Sequence, residues 1–210
     1  MAEKTKSGAN STTGTRVRKK AAPIKRCGWC GDDELYMAYH DEEWGVPVTG
    51  DQELFERLVL EGMQAGLAWI TVLRKREHMQ RVFYQFDIDK LARAKERQLQ
   101  KWLNDAGIIR HRGKLEAMVG NAKLARDHED FSGWLWSFAP KPKKGSRRSL
   151  ADVPATTPES EAMSRALKKA GYRFVGPTIC YAFMQSVGMV NDHVNTCWRR
   201  EPCAKLQAKR

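Results

Sequence analysis

The chain has 210 residues, 41% of them hydrophobic, which is enough for one domain with a real core or two small ones. No apolar run approaches a membrane span and no secretory leader opens the chain, so a membrane-spanning or exported protein is not expected. The net charge of +12 sits mostly at the ends: residues 1–26 carry +7, residues 199–210 carry +4 and residues 27–198 only +1. That excess supports nonspecific attraction to a polyanion and says little about the folded core.

Residues 1–24 read as a basic disordered tail. The Ser/Thr/Gly stretch Ser7–Gly14 cannot bury enough apolar area to order itself, and Arg16–Lys20 repels itself. The stretch Cys27–Pro47 then packs two cysteines, one histidine, two tyrosines, two tryptophans and six carboxylates into 21 positions. Asp32 and Asp33 are N-cap candidates for a helix running to about His40, on which Tyr36, Tyr39 and His40 share a face. Gly45-Val46-Pro47 stops it.

Asp51 is the expected cap of a helix over about Gln52 to Ala65, with Leu54, Phe55, Leu58 and Val59 as its apolar stripe and Glu61 at the stripe's edge. The apolar run Leu67–Leu73 includes Trp69 and leads into a helical pattern through Phe86. Short amphipathic helices are expected over Ile88–Leu103. Asp105–Arg110 reads as helix end, glycine turn and restart, followed by a helix over about His111 to Arg126. Trp134, Trp136 and Phe138 close a compact element. Pro140–Ser149 is a basic linker, and Pro158–Ala170 is helical. Phe174–Thr178 is a second glycine turn that opens a helix over Ile179–Val187. Residues 199–210 read as a basic C-terminal tail. Strand signals are few, so the predicted class is all-α.

Five cysteines without a secretion signal favour metal ligation over a disulfide scaffold. Cys27, His40, His193 and Cys197 would make a closed tetrahedral zinc set, with His193 and Cys197 on one helical turn. A rival set replaces His40 with Cys30, and spacing alone leaves both open, beside the plain reading of buried thiols and a core histidine. Trp29, Tyr36, Tyr39, Trp44 and Trp69 are either packing residues or a stacking pocket for a planar, cationic ligand. A carboxylate such as Glu61 is either solvated or held in such a pocket. The turns at Gly107 and Gly176 could offer backbone N–H groups to phosphates.

Several segments together closely resemble the 3-methyladenine DNA glycosylase I family of bacterial alkylation-repair enzymes. They are Arg26–Trp29, Tyr36–Pro47, Leu60–Leu73, Asp105–Lys114, Phe174–Tyr181 and Val190–Val194, spread over residues 25–198. The resemblance implies an all-α, helix-hairpin-helix glycosylase domain with one structural zinc joining its N- and C-terminal segments. Its ligands fall on Cys27, His40, His193 and Cys197, which leaves Cys30 a bystander. The resemblance further implies excision of 3-methyladenine from alkylated double-stranded DNA by a monofunctional hydrolase without lyase activity. Glu61 would be the catalytic and base-binding carboxylate, with Tyr36, Tyr39, Trp69 and Trp29 around the base. Gly107, Arg110, Arg112, Lys114 and Gly176 are the candidate contacts to the DNA backbone. A monomer in the bacterial cytoplasm is expected. Asp192 lies roughly where many relatives in the superfamily keep a catalytic aspartate, so it is either catalytic or a support for His193. The competing class is a zinc-stabilised DNA-binding module without activity.

Overall fold

The computed structural model describes Met1 and residues 23–141 and 149–209. The expected N-terminal tail and most of the basic linker therefore lie outside the described residues. Among the described residues the fold is all-helical, with no strand. The α-helices are α1 (Glu34–Glu42), α2 (Asp51–Gln64), α3 (Trp69–Val82), α4 (Ile88–Ala92), α5 (Glu96–Leu103), α6 (Arg112–Arg126), α7 (Phe131–Trp136), α8 (Pro158–Lys169), α9 (Pro177–Ser186) and α10 (Arg200–Gln207). None is long and apolar enough to cross a membrane.

Helix α2 is the axis of the domain. It packs against α3, α6, α7 and α9, and every residue from Arg57 to Met63 is buried. A helix buried on all sides belongs to a core rather than a surface. Glu61 therefore stands inside this run, not at the edge of a stripe. One contiguous apolar core runs from Cys27 to Cys197 and includes Phe55, Phe83, Trp102, Phe131 and Phe183. Full burial of side chains this size contributes about 1.5–3 kcal/mol each.

Local chemistry sets the helix ends. The Asp33 side chain accepts from Tyr36 N and caps α1. Thr157 and Ser160 form a reciprocal capping box at α8, with Pro158 at its first turn. Asp51 is not the cap of α2. It is the first helical residue, behind Gly50, and its carboxylate accepts from Ser132 N at 2.9 Å, tying α2 to α7.

The expected C-terminal tail is instead the helix α10. Its Cys203 is fully buried, Gln207 donates to Gly188 O at 2.8 Å, and Asn191 donates to Arg200 O at 2.8 Å. Arg200 donates in turn to His193 O. Gly188, which takes the Gln207 bond, also sits against a second loop. It has φ +73°, and a Cβ there would stand 2.6 Å from Pro47 N, so the loop after α9 lies directly on the loop after α1.

Candidate active site and metal centre

The two ends of the domain meet at four buried side chains. Metal-ligating atoms of Cys27, His40, His193 and Cys197 all lie within 4.8 Å of one another. Cys197 Sγ is 3.4 Å from both His40 Nε2 and His193 Nδ1, and Cys27 Sγ is 3.6 Å from His193 Nδ1. A tetrahedral zinc with ordinary Zn–S and Zn–N bonds spaces sulfur and nitrogen ligands by ~3.5 Å. The outer ring nitrogens are also placed as metal ligands require. His40 Nδ1 is 2.8 Å from Asp41 Oδ1, and His193 Nε2 is 3.1 Å from Trp44 O. Both outer nitrogens thus donate, which leaves His40 Nε2 and His193 Nδ1 as lone pairs facing the sulfurs. The Cys27 amide, 3.3 Å from His40 Nε2, fits the same tautomer.

The thiols are set apart electrostatically. Interaction with Cys27, and then with His193 and His40, holds Cys197 far below the ordinary thiol range, while Cys27 is pushed up. Asp41 anchors the outer layer. Burial opposes its charge, but bonds from Arg26, His40 and Trp198 hold its carboxyl at about 2. Cys30 is outside the group: its thiol donates to Cys27 O at 3.1 Å. His193 and Cys197 lie on an irregular turn rather than the expected helical turn, with Cys197 N bonded to Val194 O.

An aromatic chain links this cluster to Glu61. The Trp29 ring lies 5.3 Å from His40, 5.0 Å from Trp44, 5.1 Å from Tyr36 and 6.3 Å from Tyr39. Tyr39 in turn meets Trp69 at 5.3 Å. Burial raises the phenols of Tyr36 and Tyr39, and Glu61 adds to it at both, behind Cys30 at Tyr36. Glu61 is only 3% exposed. Burial pushes its carboxyl up to about 8, against the pull of Arg57 and of the nearby Ser186 hydroxyl, which itself donates to Phe183 O at 2.9 Å. Among the described residues Trp69 Nε1 is buried without a hydrogen-bond partner. Helix α1 supplies the tyrosines, α2 the carboxylate and α3 the indole. A cavity of about 410 Å³ opens on the α1–α3 side of Tyr39, lined by Glu43, Leu73, Arg76 and Gln80 but not by Glu61 or Trp69.

The backbone-contact candidates divide. Lys114 is 7% exposed and its amine donates to Met63 O at 2.9 Å and Ala65 O at 2.7 Å. It satisfies the end of α2, so its amine is committed within the fold. Burial lowers its amine. The Gly107 amide is also committed, donating to Asp105 Oδ1 at 2.8 Å, and the N-terminus of α6 is capped by His111. Arg112 pairs with Glu96 and Glu116, whereas Arg110 is exposed at the turn. The second turn is more open: no side chain caps α9 behind Gly176.

Three contributors escaped the sequence reading. Asn121 clasps the backbone of Arg173, donating to its carbonyl at 3.0 Å and accepting from its amide at 2.9 Å. Phe174 beside it holds φ +57°, a costly conformation for a bulky side chain, so this turn is over-determined by its surroundings. Arg57 and Ser186, which act on Glu61, carried no signal, because a lone Arg in an amphipathic helix and a Ser near a helix end are ordinary. Asp192 is buried; its Oδ2 accepts from Tyr181 at 2.5 Å and Gln185 at 2.9 Å.

The comparisons agree with this architecture. The family model for methyladenine glycosylases matches residues 29–200, ending where α10 begins. The chain is 50% identical over 179 residues to DNA-3-methyladenine glycosylase 1 of Escherichia coli (strain K12), covering 83% of this chain and 96% of that protein. It is 48% identical over 183 residues to DNA-3-methyladenine glycosylase of Haemophilus influenzae, covering 85% and 97%. A crystal structure of 3-methyladenine DNA glycosylase I superposes with a TM-score of 0.80 at 48% identity, covering 83% and 98%. The chain belongs to the methyladenine glycosylase family.

Proposed function

We propose that this protein excises 3-methyladenine from alkylated double-stranded DNA, hydrolysing the N-glycosidic bond to leave an abasic site. The observation that carries the reading is a carboxyl group, Glu61, buried at the centre of the domain between electron-rich rings. Methylation at the third ring position makes the purine of the nucleotide cationic and weakens its bond to the sugar, because the base departs neutral. The enzyme must then flip the nucleotide out and recognise the cation, with little need for acid catalysis. Faces of Tyr36, Tyr39 and Trp69 each favour a cation by about 0.5–2 kcal/mol. Glu61, ionised as the cationic base enters, complements its charge and accepts its N–H groups, and Trp69 Nε1, without a partner among the described residues, can donate to a ring nitrogen. Trp29 packs behind the tyrosines and braces them.

The activity is monofunctional on this reading. A Schiff-base lyase needs a free amine in the pocket, and the Lys114 amine is held by two carbonyls. Asp192 serves as a support for the loop beside His193 rather than a base, since Tyr181 and Gln185 bind its carboxylate.

Cys27, His40, His193 and Cys197 would hold one zinc ion, which supplies a structural crosslink; four protein ligands leave it no open position for chemistry. The turn Ala170–Gly176 between α8 and α9 is the hairpin of a helix-hairpin-helix unit. The uncapped N-terminus of α9 and the exposed Arg173 are offered to a DNA phosphate, with Arg110 at the other turn. The protein acts as a monomer in the bacterial cytoplasm.

The test is release of the base. Incubation with methylated duplex DNA should liberate 3-methyladenine, identified by chromatography, far above the uncatalysed rate, without strand cleavage at the abasic site. Binding to the DNA with no free base released would show a lesion-binding module instead.

A further inference from the structure

We propose that Arg57 is a positioning residue of the base pocket: its guanidinium, standing at the pocket wall one helical turn before Glu61, favours ionisation of Glu61 when a cationic base enters and thereby sets the preference for such a base. This rests on the pocket reading above. Arg57 and Glu61 are one helical turn apart on α2, the spacing at which side chains meet. Arg57 is 9% exposed, an expensive place for a cation. One of its terminal nitrogens donates to Glu43, while the other, Nη1, is buried without a hydrogen-bond partner. Its guanidinium carbon lies 5.9 Å from the centroid of the Tyr39 ring, so the charge stands at the pocket wall.

The surrounding charges balance without Glu61. Arg76 from α3 bridges Glu43 at 2.7 Å and Glu56 at 2.9 Å, and Gln80 donates to Glu56 at 2.9 Å. Two guanidiniums and two carboxylates thus form a neutral network beside the pocket. Among the described residues Glu61 takes no part in an ion pair. Arg57 is the charged group acting on it; the other groups facing it are the Ser186 hydroxyl from α9 and the phenols of Tyr36 and Tyr39 from α1. Lys114 from α6 is committed to the end of α2. Ionised Glu61 therefore leaves the region one negative charge in excess. A cationic purine completes the balance and neutral adenine does not. Arg57 offsets part of the burial that would otherwise keep Glu61 protonated.

The test is the pH dependence of single-turnover excision by the full-length protein on DNA containing 3-methyladenine. Activity should fall on the acid side as Glu61 protonates, and Glu61→Gln should abolish that limb. Arg57→Met should move the limb to higher pH by roughly one unit or more. Arg57→Lys should leave it near the wild-type position. Glu43→Gln, which frees Arg57 from a competing anion, should move it to lower pH. A purely structural role cannot produce opposite shifts from these two changes. If Glu61→Gln removes the limb while Arg57→Met and Glu43→Gln leave it in place, the role of Arg57 is overturned and the pocket stands. A limb that survives Glu61→Gln overturns the pocket reading itself. Should Arg57→Met fail to fold, Arg57→Gln takes its place: an upward shift of the limb supports the role of Arg57, and no shift overturns it.

Discussion

The Cys/His cluster and the Glu61 pocket are both buried groups of polar side chains, joined through Trp29, yet they are opposites in saturation. In the cluster every ring nitrogen and thiol has a partner, and the outer nitrogens are tied to Asp41 and Trp44. In the pocket Trp69 Nε1 lacks a partner, Arg57 Nη1 lacks one at its wall, and the Glu61 carboxyl is pushed up to about 8. Buried polar groups are normally satisfied. Trp102 Nε1, Tyr172 Oη and Arg199 Nε also lack partners among the described residues, but in the pocket two such atoms stand with a buried carboxyl, a combination that reads as capacity held for a ligand. A saturated group holds the chain together, and an unsaturated one receives something.

The largest effect should come from breaking the saturated region. Cys197→Ala is expected to abolish stoichiometric zinc and to destabilise the fold by more than about 4 kcal/mol, read by elemental analysis and thermal melting. An unchanged melt, or wild-type protein without zinc, would remove the metal from the account.

Breaking the unsaturated region should do the reverse, costing function and not stability. Glu61→Gln is expected to weaken binding of free 3-methyladenine by roughly 10- to 100-fold in calorimetry, the worth of a charged hydrogen bond. The fold should become less sensitive to pH. A carboxyl raised from 4.5 to about 8 binds its proton more tightly folded than unfolded, so its contribution is full below pH 4.5 and is lost as pH rises to about 8. Wild type should lose on the order of a few kcal/mol across that window, and Glu61→Gln should not. Equal slopes for the two proteins in denaturant titrations would contradict the burial of an ionising Glu61.

A smaller effect tests whether the hairpin belongs with the pocket or with the scaffold. Asn121→Ala removes two hydrogen bonds to Arg173 and should cost about 1–2 kcal/mol. DNA affinity should fall several-fold with free-base affinity unchanged; equal losses in both would place the turn in the scaffold. The smallest effect is expected for Arg112→Ala. Its charge is shared with Glu96 and Glu116, so DNA affinity should change by less than about 3-fold in a salt titration.

The saturated region was the more legible in sequence. Cysteines and histidines in this pattern suggest metal from residue type alone, although spacing does not choose between His40 and Cys30. The helices were legible where apolar periodicity is strong, as in α2 and α6. The errors share a cause: charged residues were read as solvated. Lys114 was placed near a turn and is buried under α2. Residues 199–210 look like a tail because their charges hide an inner face as small as Cys203. Arg57 was passed over for the same reason. Periodicity reports which residues can be buried, but a charged residue is buried when a partner arrives from elsewhere in the chain, and that partner is not visible locally.

The separation of the cluster's halves has a consequence for how the chain is made. Cys27 and His193 lie 166 positions apart. At ordinary synthesis rates of ~5–20 residues per second, Cys27 and His40 leave the ribosome on the order of ten to thirty seconds before their partners exist. The helices between them can form in that interval, but the closing ligands and α10 arrive last. A prematurely terminated chain would lack two of the four ligating side chains and the helix that braces them, so an ion held by the four would be captured only once translation has reached the end of the domain.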